Sequence, residues 1–219
     1  MQEKSFTHIT VGEIATNCWI YPLDDRECVL IDPGAEPDRI SARLRSLKLK
    51  PTYILLTHGH FDHIAALPRL AVAFSPAIAI HRDDAEYLGP GSYQVHCRSF
   101  TAAAGNAAYV DALWEDMPSP TAVLSEGDTI GPFRVLHLPG HTPGSAAFYD
   151  ETAKVLFSGD TLFRGDYGRT DLPGGDTAKI MESLKRLFAM DKDIRVYPGH
   201  GPATTIGGEA SYPQPRQGL

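Results

Sequence analysis

Apolar residues in this chain come in short runs broken by Gly, Pro and Asp, and the period of those runs changes along the sequence. Residues 5–10, 16–21 and 27–31 read as antiparallel strands, with Leu23-Asp24-Asp25-Arg26 as the turn between the last two. Asp32-Pro33-Gly34-Ala35 breaks the β pattern, and Glu36-Pro37-Asp38 opens a helix. Proline is tolerated in a first helical turn, and carboxylates are favoured at its positive end. Ile40, Leu44 and Leu47 then follow at i, i+4 and i+7, giving one apolar stripe, and Lys50-Pro51 is expected to end the helix. Residues 53–56 are a short buried strand. Ile64, Leu67, Leu70 and Ala71 predict a helix that begins at residues 57–63, and residues 77–80 form another short strand.

The middle of the chain is less regular. Residues 82–88 read as a helical turn, Gly89-Pro90-Gly91 as a breaker, and 107–117 as a helix with Val110, Leu113, Trp114 and Met117 on one face. That face is expected to pack on the core, the alternative being a lid or a dimer contact. Strands return at 121–124, 133–137, 146–149 and 155–157. Gly174-Gly175-Asp176 caps a helix running to about Phe188, and 194–197 is a last strand. Each half has strands followed by helices. The expected fold class is therefore α/β, with two sheets packed face to face and helices outside. Residues 1–206 are read as a single domain and 207–219, rich in Gly, Pro and Gln, as a loose tail.

Composition narrows the function classes. The 219 residues include 20 basic and 27 acidic side chains, a net charge of −7, and no dense Lys/Arg block. That balance argues against nucleic acid and anionic membrane as partners. No apolar segment approaches the ~18 residues of a membrane span. The polar start, Met1-Gln2-Glu3-Lys4-Ser5, lacks the pattern of an export signal. Cys18, Cys28 and Cys97 show no paired spacing, so a reducing cytoplasm is the expected location. Oligomeric state is not legible.

The chemistry concentrates in Thr57-His58-Gly59-His60-Phe61-Asp62-His63, directly after the 53–56 strand. Imidazole and carboxylate are the usual N/O ligands of a divalent transition metal, and a tight loop lets such side chains converge. Three later points repeat the pattern: His141 in Leu138-Pro139-Gly140-His141-Thr142-Pro143-Gly144, Asp160 in Phe157-Ser158-Gly159-Asp160, and His200 in Tyr197-Pro198-Gly199-His200-Gly201. Each follows an apolar strand and is flanked by Gly or Pro. His58, His60, Asp62, His63, His141, Asp160 and His200 are too many ligands for one tetrahedral ion and suit two divalent metals. Asp160, isolated between the other groups, is the natural bridge. His8, His81, His96 and His137 lack such a setting and are expected to be structural or surface residues.

The stretches THGHFDH, PGHTPGS, SGDTLF and PGHG, in this order, resemble the metallo-β-lactamase superfamily. SGDTLFRGDYGRTDLPGGD is similar to its glyoxalase II-like (hydroxyacylglutathione hydrolase-like) branch, in a short form without the C-terminal helical domain. The resemblance implies an αββα sandwich with the metals at one edge. His58, His60 and His141 would hold the first ion, Asp62, His63 and His200 the second, and Asp160 would be shared. Zinc is the first choice, with iron or manganese as alternatives. A metal-bridging hydroxide would attack a small acyl thioester such as S-lactoylglutathione. Asp160 and Asp62 would be the catalytic carboxylates, Asp62 helping to orient the nucleophile or move a proton, and Arg169 could contact substrate. Two rivals remain: a mononuclear iron persulfide dioxygenase using His58, His141 and Asp160, and a nuclease or lactonase of the same superfamily.

Overall fold

Alternation along the strands sorts the apolar side chains into three separate cores. The computed structural model describes residues 6–211. In the first sheet β1 (Thr7–Val11), β2 (Thr16–Pro22), β3 (Glu27–Ile31), β4 (Lys50–Leu56), β5 (Ala77–His81) and β6 (Ala122–Leu124) lie in chain order. The pairs β1–β2 and β2–β3 are antiparallel, and those from β3 to β6 are parallel. The second sheet holds β7 (Thr129–Ile130), β8 (Phe133–His137), β9 (Ala146–Asp150), β10 (Val155–Gly159), β11 (Arg195–Pro198) and β12 (Thr204–Thr205). Only β10–β11 is parallel there.

Successive side chains of a strand point to opposite faces, so Trp19, Tyr21, Ile31 and Leu55 meet Phe133, Phe148 and Phe157 between the sheets. Cys18, Ile20, Leu30 and Ile54 face outward, onto Ile40 and Leu44 of α1 (Pro37–Leu47) and Leu67 and Leu70 of α3 (Leu67–Phe74). On the far side Leu136, Ala147 and Leu156 pack under Ile180, Leu184 and Leu187 of α6 (Thr177–Phe188). These layers make the expected αββα sandwich. Its parallel pairs require crossovers, which α1 provides for β3–β4, α3 for β4–β5, α6 for β10–β11, and residues 82–121 for β5–β6.

Several boundaries depart from expectation. α1 stops at Leu47 because Lys48 adopts a left-handed conformation (φ 58°), so Lys50 and Pro51 already belong to β4 rather than closing the helix. The helix expected from residue 57 onward is two pieces, α2 (Phe61–Ile64) and α3, separated at Ala65-Ala66. A 3₁₀ turn spans Arg82–Tyr87, and after Gly91 comes α4 (Ser92–Ala104), which the apolar pattern did not predict. α5 covers only Ala108–Leu113, since Trp114 turns extended (φ −64°, ψ 128°). Val110 and Met117 are still buried, but Leu113 is not. The expected loose tail is corrected at its start. Ile206–Ala210 is a short helix, α7, with Thr205 accepting a bond from the Gly208 amide and Glu209 buried. Residues 212–219 and 1–5 lie outside the described part, as does Ser5 of the first predicted strand. Among the described residues no helix is long and apolar enough to cross a membrane. Cys18 and Cys28 are buried, and all three cysteines are free thiols.

Candidate metal centre

Every predicted ligand group lies just past the C-terminal end of a strand, and the two sheets bring those ends to one edge. β4 delivers His58 and His60, α2 carries Asp62 and His63, and β8, β10 and β11 deliver His141, Asp160 and His200. Bonds between the sheets close this edge. Asn17 of β2 donates from its backbone N to the Gly199 carbonyl (2.7 Å) and from Nδ2 to the Pro198 and Gly201 carbonyls, while Trp19 Nε1 donates to Pro198 O (3.1 Å). Gly199 is required by space, because a Cβ there would fall on Asp160 Oδ1 and the His63 ring.

Two ligand groups result. Ligand atoms of His58, His60 and His141 lie within 4.8 Å of one another, as do those of Asp62, His63 and His200. Asp160 reaches both: Oδ2 is 3.7 Å from His141 Nε2 and 3.5 Å from His200 Nε2, and Oδ1 is 3.4 Å from His63 Nε2. Across the first group His60 Nδ1 faces His141 Nε2 at 2.8 Å, and across the second His63 Nε2 faces His200 Nε2 at 3.1 Å. His58 Nε2 and Asp160 Oδ1 are buried with no hydrogen-bond partner. Unpaired buried polar atoms are costly, and a cation lying among them would satisfy them. The donor set therefore fits divalent metal, and all seven predicted ligands belong to it.

The outward nitrogens are held by neighbours that fix which atom carries the lone pair. Asp32, the first residue of the break that follows β3 and not among the predicted site residues, is 1% exposed. Its Oδ1 accepts from Thr57 N (2.8 Å) and its Oδ2 from Thr57 Oγ1 (2.6 Å), and Oδ2 also lies 3.1 Å from His63 Nδ1. Since Thr57 Oγ1 donates to Asp32, it is free to accept from His58 Nδ1 at 3.1 Å. One carboxylate thus orients His63 directly and His58 through a hydroxyl, leaving each Nε2 toward the centre. Asp32 sits at φ 53°, an unusual conformation for a non-glycine residue, and its position after a buried strand was the available signal. His141 Nδ1 donates to the Arg169 carbonyl (2.8 Å), so Arg169 serves the centre through its backbone. Its guanidinium makes two 2.7 Å bonds to Asp171 and is half exposed.

Charge divides the two groups. Burial holds His58 well below its usual 6.5 and, with His141 beside it, brings His60 to about 3. Burial also pulls His63 and His200 down, but Asp160 overcomes it. His63, facing Asp62 as well, stands well above 6.5, and His200 rises to about 10. Against their own burial, His63 and His200 bring Asp62 to about 2 and hold Asp160 well below the usual carboxylate range.

The other histidines lie apart. His8 packs on Trp19, and His96 bonds the Tyr87 carbonyl through Nε2 (2.9 Å). His81, Asp83 and His137 also come within 4.8 Å of one another, but the two rings stack at 3.9 Å and 13°, and His137 Nε2 already bonds the Pro143 carbonyl. In-plane lone pairs of parallel rings run side by side rather than converge. An open cleft of about 970 Å³ is lined by Gly12, Glu13, Ala35, Tyr109 and Leu113 among others. Burial and the nearby Asp62, Glu13 and Glu36 carboxylates raise the Tyr109 phenol to about 12.

Comparison with known proteins agrees with this geometry. Residues 11–200 match the metallo-beta-lactamase superfamily. The chain is 35% identical to hydroxyacylglutathione hydrolase GloC of Haemophilus influenzae over 92% of each chain, and 35% identical to the probable metallo-hydrolase YqgX of Bacillus subtilis over 90% of each. Among solved structures it resembles TTHA1623 in a di-iron-bound form (40% identity, TM-score 0.80, covering 94% of this chain and 97% of that one). It also resembles the B3 metallo-beta-lactamase BLEG-1 (34%, TM-score 0.82, 95% and 97%). A further likeness is to ETHE1 from Myxococcus xanthus (25%, TM-score 0.73, 94% and 82%). The chain belongs to the metallo-β-lactamase superfamily and is a metal-dependent hydrolase.

Proposed function

We propose that this hydrolase is a dinuclear thioesterase of the glyoxalase II type, cleaving S-lactoylglutathione or a related small acyl thioester in the cytoplasm. The observation that carries the reading is Asp160, whose carboxylate lies against both ligand groups, each of which has three further candidate ligands. The likeness to GloC supports the substrate class. His58, His60 and His141 would hold one divalent ion and Asp62, His63 and His200 a second, with Asp160 shared. Zinc is the first choice, and the di-iron form of a similar protein keeps iron in view. Bound there, such ions acidify water to a pKa near ~7 and polarise a carbonyl.

The chain's own residues supply the rest. Asp32, Thr57 and the Arg169 carbonyl hold His58, His63 and His141 in one tautomer and orientation. Asp62, fastened by Thr16 Oγ1 at 3.3 Å, would help orient the attacking water. Arg169, whose backbone lies against His141, would be available to an anionic group of the substrate if its guanidinium releases Asp171.

The likeness to ETHE1 supports a second reading, a mononuclear iron persulfide dioxygenase on His58, His141 and Asp160. The complete second group weighs against it. Protein loaded with zinc, iron or manganese should release free thiol from S-lactoylglutathione and bind two metals per chain. One iron per chain, no thiol release with any metal, and oxygen uptake on glutathione persulfide would establish the dioxygenase instead.

A further inference from the structure

Asp84 lies in the 3₁₀ turn after β5, far in sequence from every ligand, and is fully buried. Its Oδ2 accepts from the Gly59 amide (2.9 Å) and from Thr142 Oγ1 (2.8 Å), and its Oδ1 accepts from the Gly144 amide (2.6 Å). Gly59 stands between His58 and His60, and Thr142 and Gly144 directly follow His141. One carboxylate therefore ties together the two loops that carry the three imidazoles of the first group. None of its bonds goes to α2, which carries Asp62 and His63, or to the loop that carries His200.

The local sequence is built around this tie. A Cβ on Gly144 would fall on the Asp84 carboxylate, so only glycine lets the backbone N–H come this close. Ser145 Oγ, 2.8 Å from Thr142 Oγ1, accepts from the Thr142 amide at 2.9 Å and keeps that hydroxyl beside Asp84. Burying a carboxylate is costly, and burial does raise the Asp84 carboxyl against the pull of its three donors. A buried carboxylate joining two loops that otherwise belong to different sheets is hard to account for by packing alone.

We propose that Asp84 is a positioning residue that fixes the spacing between the His58–His60 pair and His141, and so governs binding of the first divalent ion without touching it. The inference rests on the two-ion reading of the centre. Its consequence is selective: disturbing Asp84 weakens the first group and spares the second.

The test uses zinc, and cobalt as a spectroscopic probe, titrated into the metal-free full-length chain against a chromophoric chelator. In a His200→Ala background the remaining ion reports the first group, and in a His141→Ala background it reports the second. Asp84→Asn keeps the shape but turns an NH₂ toward at least one donor. It should weaken zinc binding about 10- to 100-fold in the first background and less than about threefold in the second, with an altered cobalt spectrum only in the first. Thr142→Val removes one of the three bonds and should shift affinity in the same direction by a smaller factor, which covers the case in which Asp84→Asn fails to fold. Unchanged affinity in the first background, or equal loss in both, overturns the proposal. A chain with an intact centre that binds a single ion would instead overturn the two-ion reading, while the His200→Ala titration would still decide the role of Asp84.

Discussion

The two halves of the centre use the same residue chemistry and reach opposite states of charge. His58 and His60 are shut in by the protein with other imidazoles beside them, and burial outweighs the pull of Asp160 on both and of Asp62 on His60, which leaves them neutral. His63 and His200 face Asp62 and Asp160, and the carboxylates hold protons on them. The first group is thus ready for a cation. The second is a network of imidazolium and carboxylate that a cation must displace. What separates the halves is how closely carboxylates face each, and Asp160 lies against both.

Removing Asp160 should therefore have the largest effect. Asp160→Ala takes an oxygen from both groups and should abolish binding of both ions at micromolar zinc, read as metal per chain after dialysis. Retention of two equivalents would show that the groups are independent. Asp32→Asn comes next. It leaves every ligand in place but offers an amide where His63 Nδ1 and Thr57 Oγ1 now donate. Loss of an outer partner of this kind costs about 10- to 100-fold in metal affinity. The loss should appear in both groups, because Asp32 orients His63 in one and His58 in the other. A loss confined to the second group would mean that the Thr57 relay carries nothing.

The charge difference itself can be broken by pH. His60 stands at about 3 and His58 well below 6.5, so neither carries a proton that competes with the first ion at neutral pH. His200 stands at about 10, with His63 also raised, so the second ion must expel protons over the whole range from 6.5 to about 10. Each proton expelled makes affinity rise about tenfold per pH unit. Between pH 6.5 and 8.5 the second ion should tighten at least tenfold per unit while the first changes little. Titration in weakly buffered indicator dye should show proton release only with the second equivalent. Equal slopes would remove the distinction. The same shift has a consequence for metal-free protein. A His200 raised from 6.5 to about 10 contributes stability that is whole below pH 6.5 and fades as pH climbs through 10.

The legible parts of the molecule are those where chemistry and hydrophobic pattern coincide. Apolar strands ending in His or Asp between glycines could be read directly, because the strand supplies the pattern and the turn supplies the reach. The supports were not legible. Asp32 and Asp84 are acidic residues in ordinary-looking turns, and only the pairing of β3, β4 and β5, with the second sheet packed against them, brings them against loops 25 to 60 residues away. α4 was missed for a different reason. The side chains it buries most completely are Ser92, His96 and Ser99, so its inward stripe is polar and gives no hydrophobic period. For α5 the apolar spacing from Val110 to Met117 predicts a helix to residue 117, but both side chains reach the core while the chain past Leu113 runs extended.

The smallest expected effect separates what a residue does by backbone from what it does by side chain. Arg169 was read as a substrate contact, yet the bond that matters to the centre is its carbonyl accepting from His141 Nδ1, which any residue can provide. Its guanidinium is engaged with Asp171 and exposed, so whatever it adds toward substrate is offset by leaving that partner and weakened by solvent. Exposed pairs of this kind are worth ~0.2–1 kcal/mol, a factor of about 1.5 to 5. Arg169→Ala should therefore raise KM by no more than about fivefold, leave kcat alone, and retain both metals with unchanged pH slopes. Loss of the first ion would show that the guanidinium holds the loop in place for its carbonyl. A KM rise of a hundredfold would show instead that substrate draws Arg169 off Asp171 into a contact far stronger than its present one.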